Sequence, residues 1–129
     1  DLLVSGANEA IRRAGRDEIK VASIDGDQVA FQMLYGEGSP FVSTVVGDVL
    51  GIGTLGGEAI IKAACGRGAE VPISTYTQMW TATRNNGIAA GEMRWGEGLW
   101  DAIQIPKADI EAMYEQNQDV VMVIPVLPQ

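Results

Sequence analysis

Residues 19 to 27 read Ile19-Lys20-Val21-Ala22-Ser23-Ile24-Asp25-Gly26-Asp27, a short apolar run that stops abruptly at acid, glycine and acid. Such a run fits a buried strand, and the Asp-Gly-Asp punctuation fits the turn that follows one. On the N-terminal side, Leu3, Val4, Ala7, Ala10, Ile11 and Ala14 recur at spacings of three and four. This predicts an amphipathic helix over residues 2–14, with Asp1 placed to cap it and Gly15 to stop it. On the C-terminal side, Val29, Ala30, Met33 and Leu34 restore helical spacing between Gln28 and Tyr35, until Gly36-Glu37-Gly38-Ser39-Pro40 breaks it.

The alternation continues. Phe41 to Val46 is β-branched and apolar, which predicts a second strand, and Asp48 precedes a long stretch with Ile52, Leu55, Ala59, Ile60, Ala63 and Ala64 on one side. That stretch predicts the longest helix, ending near Gly66-Arg67-Gly68. Val71 to Thr83 reads as extended chain and Asn85-Asn86-Gly87 as a turn. Residues 88–118 read as helices, one broken by Pro106 and another running from Ala108 to Gln116, before a last strand candidate at Val120 to Ile124. Strands that are unbroken apolar runs and alternate with helices predict an α/β fold, a mostly parallel sheet covered on both faces in three layers. Ligands of such sheets bind outside the carboxyl ends of the strands. That rule points to Asp25, Gly26 and Asp27 after the first strand and to Gly47 and Asp48 after the second.

Composition narrows the chemistry. The chain of 129 residues carries 9 basic and 17 acidic side chains, a net charge of −8, which argues against nucleic acid as a partner. One cysteine and no histidine exclude an intrachain disulfide and the usual transition-metal ligand sets. No apolar run approaches the ~18 to 20 residues of a membrane-spanning helix. Gly47, Gly51, Gly53, Gly56 and Gly57 do not form a phosphate loop, because no Gly-Lys-Ser/Thr follows and the glycines run on into the helix. Glu97 and Asp101 stand at helical spacing and read as a solvated face before an acid-base pair. Cys65, beside Ala63 and Ala64, reads as a small buried apolar residue with no histidine to activate it. Trp80, Trp95 and Trp100 read as core before they read as sugar-stacking platforms.

The stretch from Asp1 through Gly6-Ala7-Asn8 to Ala14-Gly15-Arg16, then the strand ending in Ile24-Asp25-Gly26, then a helix, the Thr44-Val45-Val46 strand and a helix opening around Ile52-Gly53, together resemble the type I periplasmic binding proteins for ribose, galactose, xylose and related sugars. These share their fold with LacI-type repressors. The resemblance covers residues 1 to about 66 well and 67–85 loosely, and hardly extends over 86–129. It implies that residues 1–47 belong to the C-terminal lobe. Residues 48–129 would then hold the hinge crossing, the long helix and segments returning to the other lobe. The other lobe would lie in a chain roughly twice this length, or in a second chain. It further implies a solute-recognition protein rather than an enzyme: the periplasmic, sugar-binding component of an ABC importer, exported by a signal upstream. Its partners would be a monosaccharide or similar polyol and the permease subunits in the membrane, and no cofactor is implied.

Three residues carry the expected ligand contacts. In the family the Asp of the Asp-Gly pair accepts hydrogen bonds from sugar hydroxyls, and that position is Asp25. A carboxylate suits the task, since its two oxygens can bridge adjacent hydroxyls through charge-assisted bonds; read without the family, Asp25-Gly26-Asp27 is first a strand-end turn in which Asp caps the next helix. At the hinge, Gly47 stands where ribose-type members often have Gln, so either Asp48 takes over the polar contact or it caps the long helix. Asp1 is the remnant of the family's ligand-contacting Asn-Asp pair, and it either faces the cleft or, at the start of the chain, is disordered. Two rival functions share the fold: the effector-binding domain of a LacI-type regulator, which adds a helix-turn-helix, and an enzyme using Asp25 or Asp48 as an acid.

Overall fold

The computed structural model describes residues 1–117 and the backbone of residues 121–123. Its elements alternate as the apolar periods demand. Helix α1 (Leu2–Ala14) leads to strand β1 (Val21–Asp25), helix α2 (Gln28–Tyr35), strand β2 (Phe41–Gly47) and helix α3 (Val49–Ala64). A single 3-10 turn (Gly68–Glu70) precedes strand β3 (Met79–Thr83), helices α4 (Gly87–Trp95), α5 (Leu99–Ile103) and α6 (Lys107–Met113), and strand β4 (Val121–Val123). Helix α1 stops where expected. Gly15 adopts the left-handed conformation at φ 61°, its N–H donates to Arg12 O at 3.2 Å, and Arg16 N–H donates to Ile11 O at 3.3 Å. The last strand expected at 120–124 is described over Val121–Val123 alone.

The molecule is mixed α/β, and its four-stranded sheet follows chain order β1-β2-β3-β4. The expectation of a mostly parallel sheet is corrected: β1 and β2 run parallel, but β3 pairs antiparallel with β2, and β4 antiparallel with β3. The α2 crossover is what makes the first pair parallel. The expectation of cover on both faces is corrected as well. Phe41, Thr44, Val46, Trp80 and Ala82 are buried on one face of the sheet, where α2 packs on β2 and α4 on β3, with α5 against those two helices. Their neighbours pointing the other way, among them Ala22, Ile24, Val45 and Thr81, are exposed or half-buried.

One core forms from Phe31 and Leu34 of α2, Phe41 and Val46 of β2, Trp80 and Ala82 of β3, and Leu99, Trp100, Ile103 and Ile110 of the later helices. Burying a Phe, Leu or Ile side chain stabilises by about 1.5–3 kcal/mol each, so this cluster holds the two halves of the chain together. Of residues 48–129, β3 and α4 to α6 rejoin the core built by residues 1–47, whereas α3 stands apart. No residue of α3 is buried, and Val49, Leu50, Ile52, Ile60 and Ile61 are exposed, Leu50 by 82%. Cys65, expected to be buried, is exposed at the end of that helix.

A polar clasp closes the C-terminal helices. The Glu92 carboxylate of α4 accepts from Trp100 Nε1 at 2.9 Å and from Lys107 Nζ at 2.8 Å. Burial raises the Glu92 pKa, but the bonds from Lys107 and Trp100 outweigh it, and the carboxyl titrates below its ordinary 4.5. A lowered folded-state pKa means that the clasp stabilises fully above the ordinary value and is lost as pH falls through the folded one. A Glu92→Gln variant is therefore expected to show a flatter decline of Tm between about pH 5 and pH 3 than the parent. Parallel declines would show that Glu92 is not responsible.

Candidate functional site

The carboxyl ends of the parallel strands β1 and β2 lie side by side, with Asp25 paired to Val46 in the register. Asp25 has φ 115°, a conformation that a non-glycine residue rarely adopts, and it is followed by Gly26 at φ 67°. Such a residue stores about 1–3 kcal/mol and persists only where its surroundings over-determine it. Here three elements do so. Gly26 N–H donates to the buried Thr44 hydroxyl at 3.3 Å, Trp95 Nε1 donates to Gly26 O at 2.9 Å, and Asp27 N–H donates to the Asp1 carboxylate at 2.7 Å. The outcome is a fixed turn that leaves the Asp25 side chain 62% exposed, with Oδ2 in contact with the Asp1 nitrogen at 3.4 Å and the rest of the carboxylate open to a hydroxyl-bearing ligand.

Asp1 takes up a role that neither a cap nor a cleft residue would have. Its carboxylate makes no capping bond to α1; it accepts instead from the hydroxyls of Ser23 and Thr44 and from Asp27 N–H, with no exposed side-chain surface. It thus locks the start of α1 to the ends of β1 and β2. Its backbone nitrogen lies 3.4 Å from Asp25 Oδ2. Asp48 occupies the N-cap of α3 and accepts Gly51 N–H at 2.8 Å. The cap is one of the two roles open to it in the sequence.

Two residues the sequence did not single out as ligand contacts complete the neighbourhood. Arg94 and Trp95 end helix α4, and each reaches one strand end: Arg94 Nη1 donates to Gly47 O at 2.9 Å, while the Trp95 indole holds Gly26 O. The guanidinium lies over the indole, 4.9 Å from the ring centroid. Trp80 and Trp100 are core residues as expected; Trp95 is not, being 39% exposed. Together with Val49, Leu50, Gly53 and Thr54 of α3, Arg94 and Trp95 line an open cleft of about 590 Å³. Arg94 Nε is buried without an acceptor among the described residues. A donor left in that state costs about 1–3 kcal/mol.

Chemically, the cleft offers an aromatic face, a cation and an apolar wall, and the Asp25 carboxylate stands at the end of β1, next to Gly26, whose carbonyl Trp95 holds. Among the described residues no cluster of acidic, cysteine or histidine side chains fits a metal ion. No protein-family model, no curated protein and no solved structure matches this chain.

Proposed function

We propose that this chain recognises a sugar or similar polyol, as the solute-binding component of an ABC importer, with the ligand held at the carboxyl ends of β1 and β2. The observation that carries this reading is Asp25, an exposed carboxylate in a strained backbone conformation whose neighbours are pinned, Gly26 by its bonds with Thr44 and Trp95 and Asp27 by its bond to Asp1. Strain that a structure maintains around one polar side chain is a mark of a functional position. Asp25 bridges sugar hydroxyls, and the exposed Trp95 ring packs on the apolar C–H face of the ring. The chemistry ends at binding.

In this reading the chain is part of a periplasmic-binding-protein-like receptor of two lobes, residing in the periplasm and handing its solute to permease subunits. Helix α3, with its exposed apolar residues, packs on the other lobe, and the crossing at Gly47 and Asp48 belongs to the hinge. Ligand then favours the closed arrangement of the lobes over the open one. Contiguous apolar surface of this kind rarely stays uncovered, which supports the second lobe.

A thermal-shift screen of the full-length protein against a panel of monosaccharides and polyols tests the reading. At a concentration of 100 Kd a bound sugar stabilises by about 2.7 kcal/mol, so at least one should raise Tm by several degrees. Removing a charged acceptor costs about 1.5–3 kcal/mol, enough for Asp25→Ala to erase most of the shift. No shift with any compound, or a shift unchanged in the variant, would sink it.

A further inference from the structure

We infer that the solute carries a carboxylate, a sugar acid rather than a neutral sugar, and that Arg94 receives it; this rests on the sugar-recognition reading above. The argument starts from two half-buried arginines that the fold treats differently. Arg84 spends the Nε–Nη2 edge of its guanidinium on protein: Nε donates to Leu34 O at 2.9 Å, and Nη2 donates to Ser39 O at 2.9 Å and Phe41 O at 3.3 Å. Arg94 spends only Nη1, on Gly47 O. Its Nε is buried without an acceptor, and its Nη2 has none among the described residues either.

Burial closes Nε off from a ligand, so Nη2 is the donor left to take a solute carboxylate through a charge-assisted N–H···O bond. It belongs to a residue lining the cleft beside Trp95, whose ring centroid lies 4.9 Å from the guanidinium carbon. Charge points the same way. Of the 9 basic residues, Arg12, Arg13, Arg16, Arg67 and Lys107 have a carboxylate partner, whereas Lys20, Lys62, Arg84 and Arg94 have none among the described residues, and of these only Arg94 lines the cleft. Arg94 has no ion pair among the described residues, although Asp25 and Asp48 stand at the two strand ends it helps to tie together. The first turn of α3 lines the same cleft and adds the positive end of a 16-residue helix, offset in part by its Asp48 cap.

Equilibrium binding to the full-length protein of D-glucuronate against D-glucose, and of D-galacturonate against D-galactose, isolates the carboxylate on an unchanged ring. At least one acid should bind about tenfold or more tighter than its neutral partner. Arg94→Met, which keeps the aliphatic stem, should erase that advantage. Arg94→Lys should restore part of it, with near-UV circular dichroism confirming that both variants fold. Asp25→Ala should weaken acid and neutral sugar alike. Neutral sugars binding as tightly as the acids would overturn this inference and leave the receptor reading intact. An acid preference that survives Arg94→Met in a folded protein would also overturn it. If no member of either pair or of the wider sugar panel binds, the receptor reading fails and the inference with it.

Discussion

Replacing Gly26 with alanine is expected to destabilise the protein by about 2–5 kcal/mol, the sum of a left-handed non-glycine backbone and an overpacked contact. Gly26 sits at φ 67°, and a Cβ built there would lie 2.7 Å from both Cγ atoms of Val46. Val46 is fully buried and lies in the middle of a sheet, so it has nowhere to retreat. The effect extends beyond stability, since Gly26 N–H and O are held by Thr44 and Trp95 and set the position of Asp25. Urea denaturation of the variant should therefore show a midpoint shifted down at similar m-value, and whatever sugar binding the parent has should fall with it. A change under about 0.5 kcal/mol, the range of a neutral surface substitution, would mean the turn is not built as described.

Phe31→Ala should have an equal or larger effect, about 3–5 kcal/mol, a substantial part of the ~5–15 kcal/mol that a domain typically has. Phe31 is 0% exposed in α2, and its ring meets Trp100 edge to face at 6.4 Å between centroids. The contact joins the early part of the chain to α5, so the cavity would open between halves far apart in sequence. Thermal or urea unfolding measures the loss. A cost below about 1 kcal/mol would show that the helices collapse into the space, or that α5 does not pack there.

Much of the local structure is legible in the residues. The period of Val29, Ala30, Met33 and Leu34 and the breaker after it mark out α2, and Asp48 marks the start of α3, because caps and turns are decided by near neighbours. Strand direction is not decided locally. The extended stretch from Val71 to Thr83 contains β3 at its end, but whether it pairs parallel or antiparallel with β2 depends on the path through α3, which no apolar period encodes. The stripe on α3 was legible as a stripe; what covers it was not, and among the described residues nothing buries it.

The site divides in the same way. A ligand role for Asp25 came only from the resemblance to the sugar-binding family, whereas the Asp25 turn was readable because an Asp-Gly pair closing an apolar run is a local signal. Asp1 was not, because its carboxylate answers to Ser23 and Thr44, residues more than twenty positions away. Three tryptophans look alike in sequence, and only the packing of α4 against the strand ends separates Trp95 from buried Trp80 and Trp100. Arg94 sits in no motif. Its importance comes from a guanidinium donor, Nη2, that the fold leaves unspent among the described residues.

The most direct test of sugar recognition at the strand ends is isothermal titration of the best-binding sugar into the full-length protein and its Asp25→Ala variant side by side. The account predicts one saturable site in the parent and an affinity about tenfold or more lower in a variant that unfolds at nearly the same temperature. Equal affinities in the two proteins would contradict it, and would place any bound sugar somewhere other than the turn that Thr44, Trp95 and Asp1 hold in place.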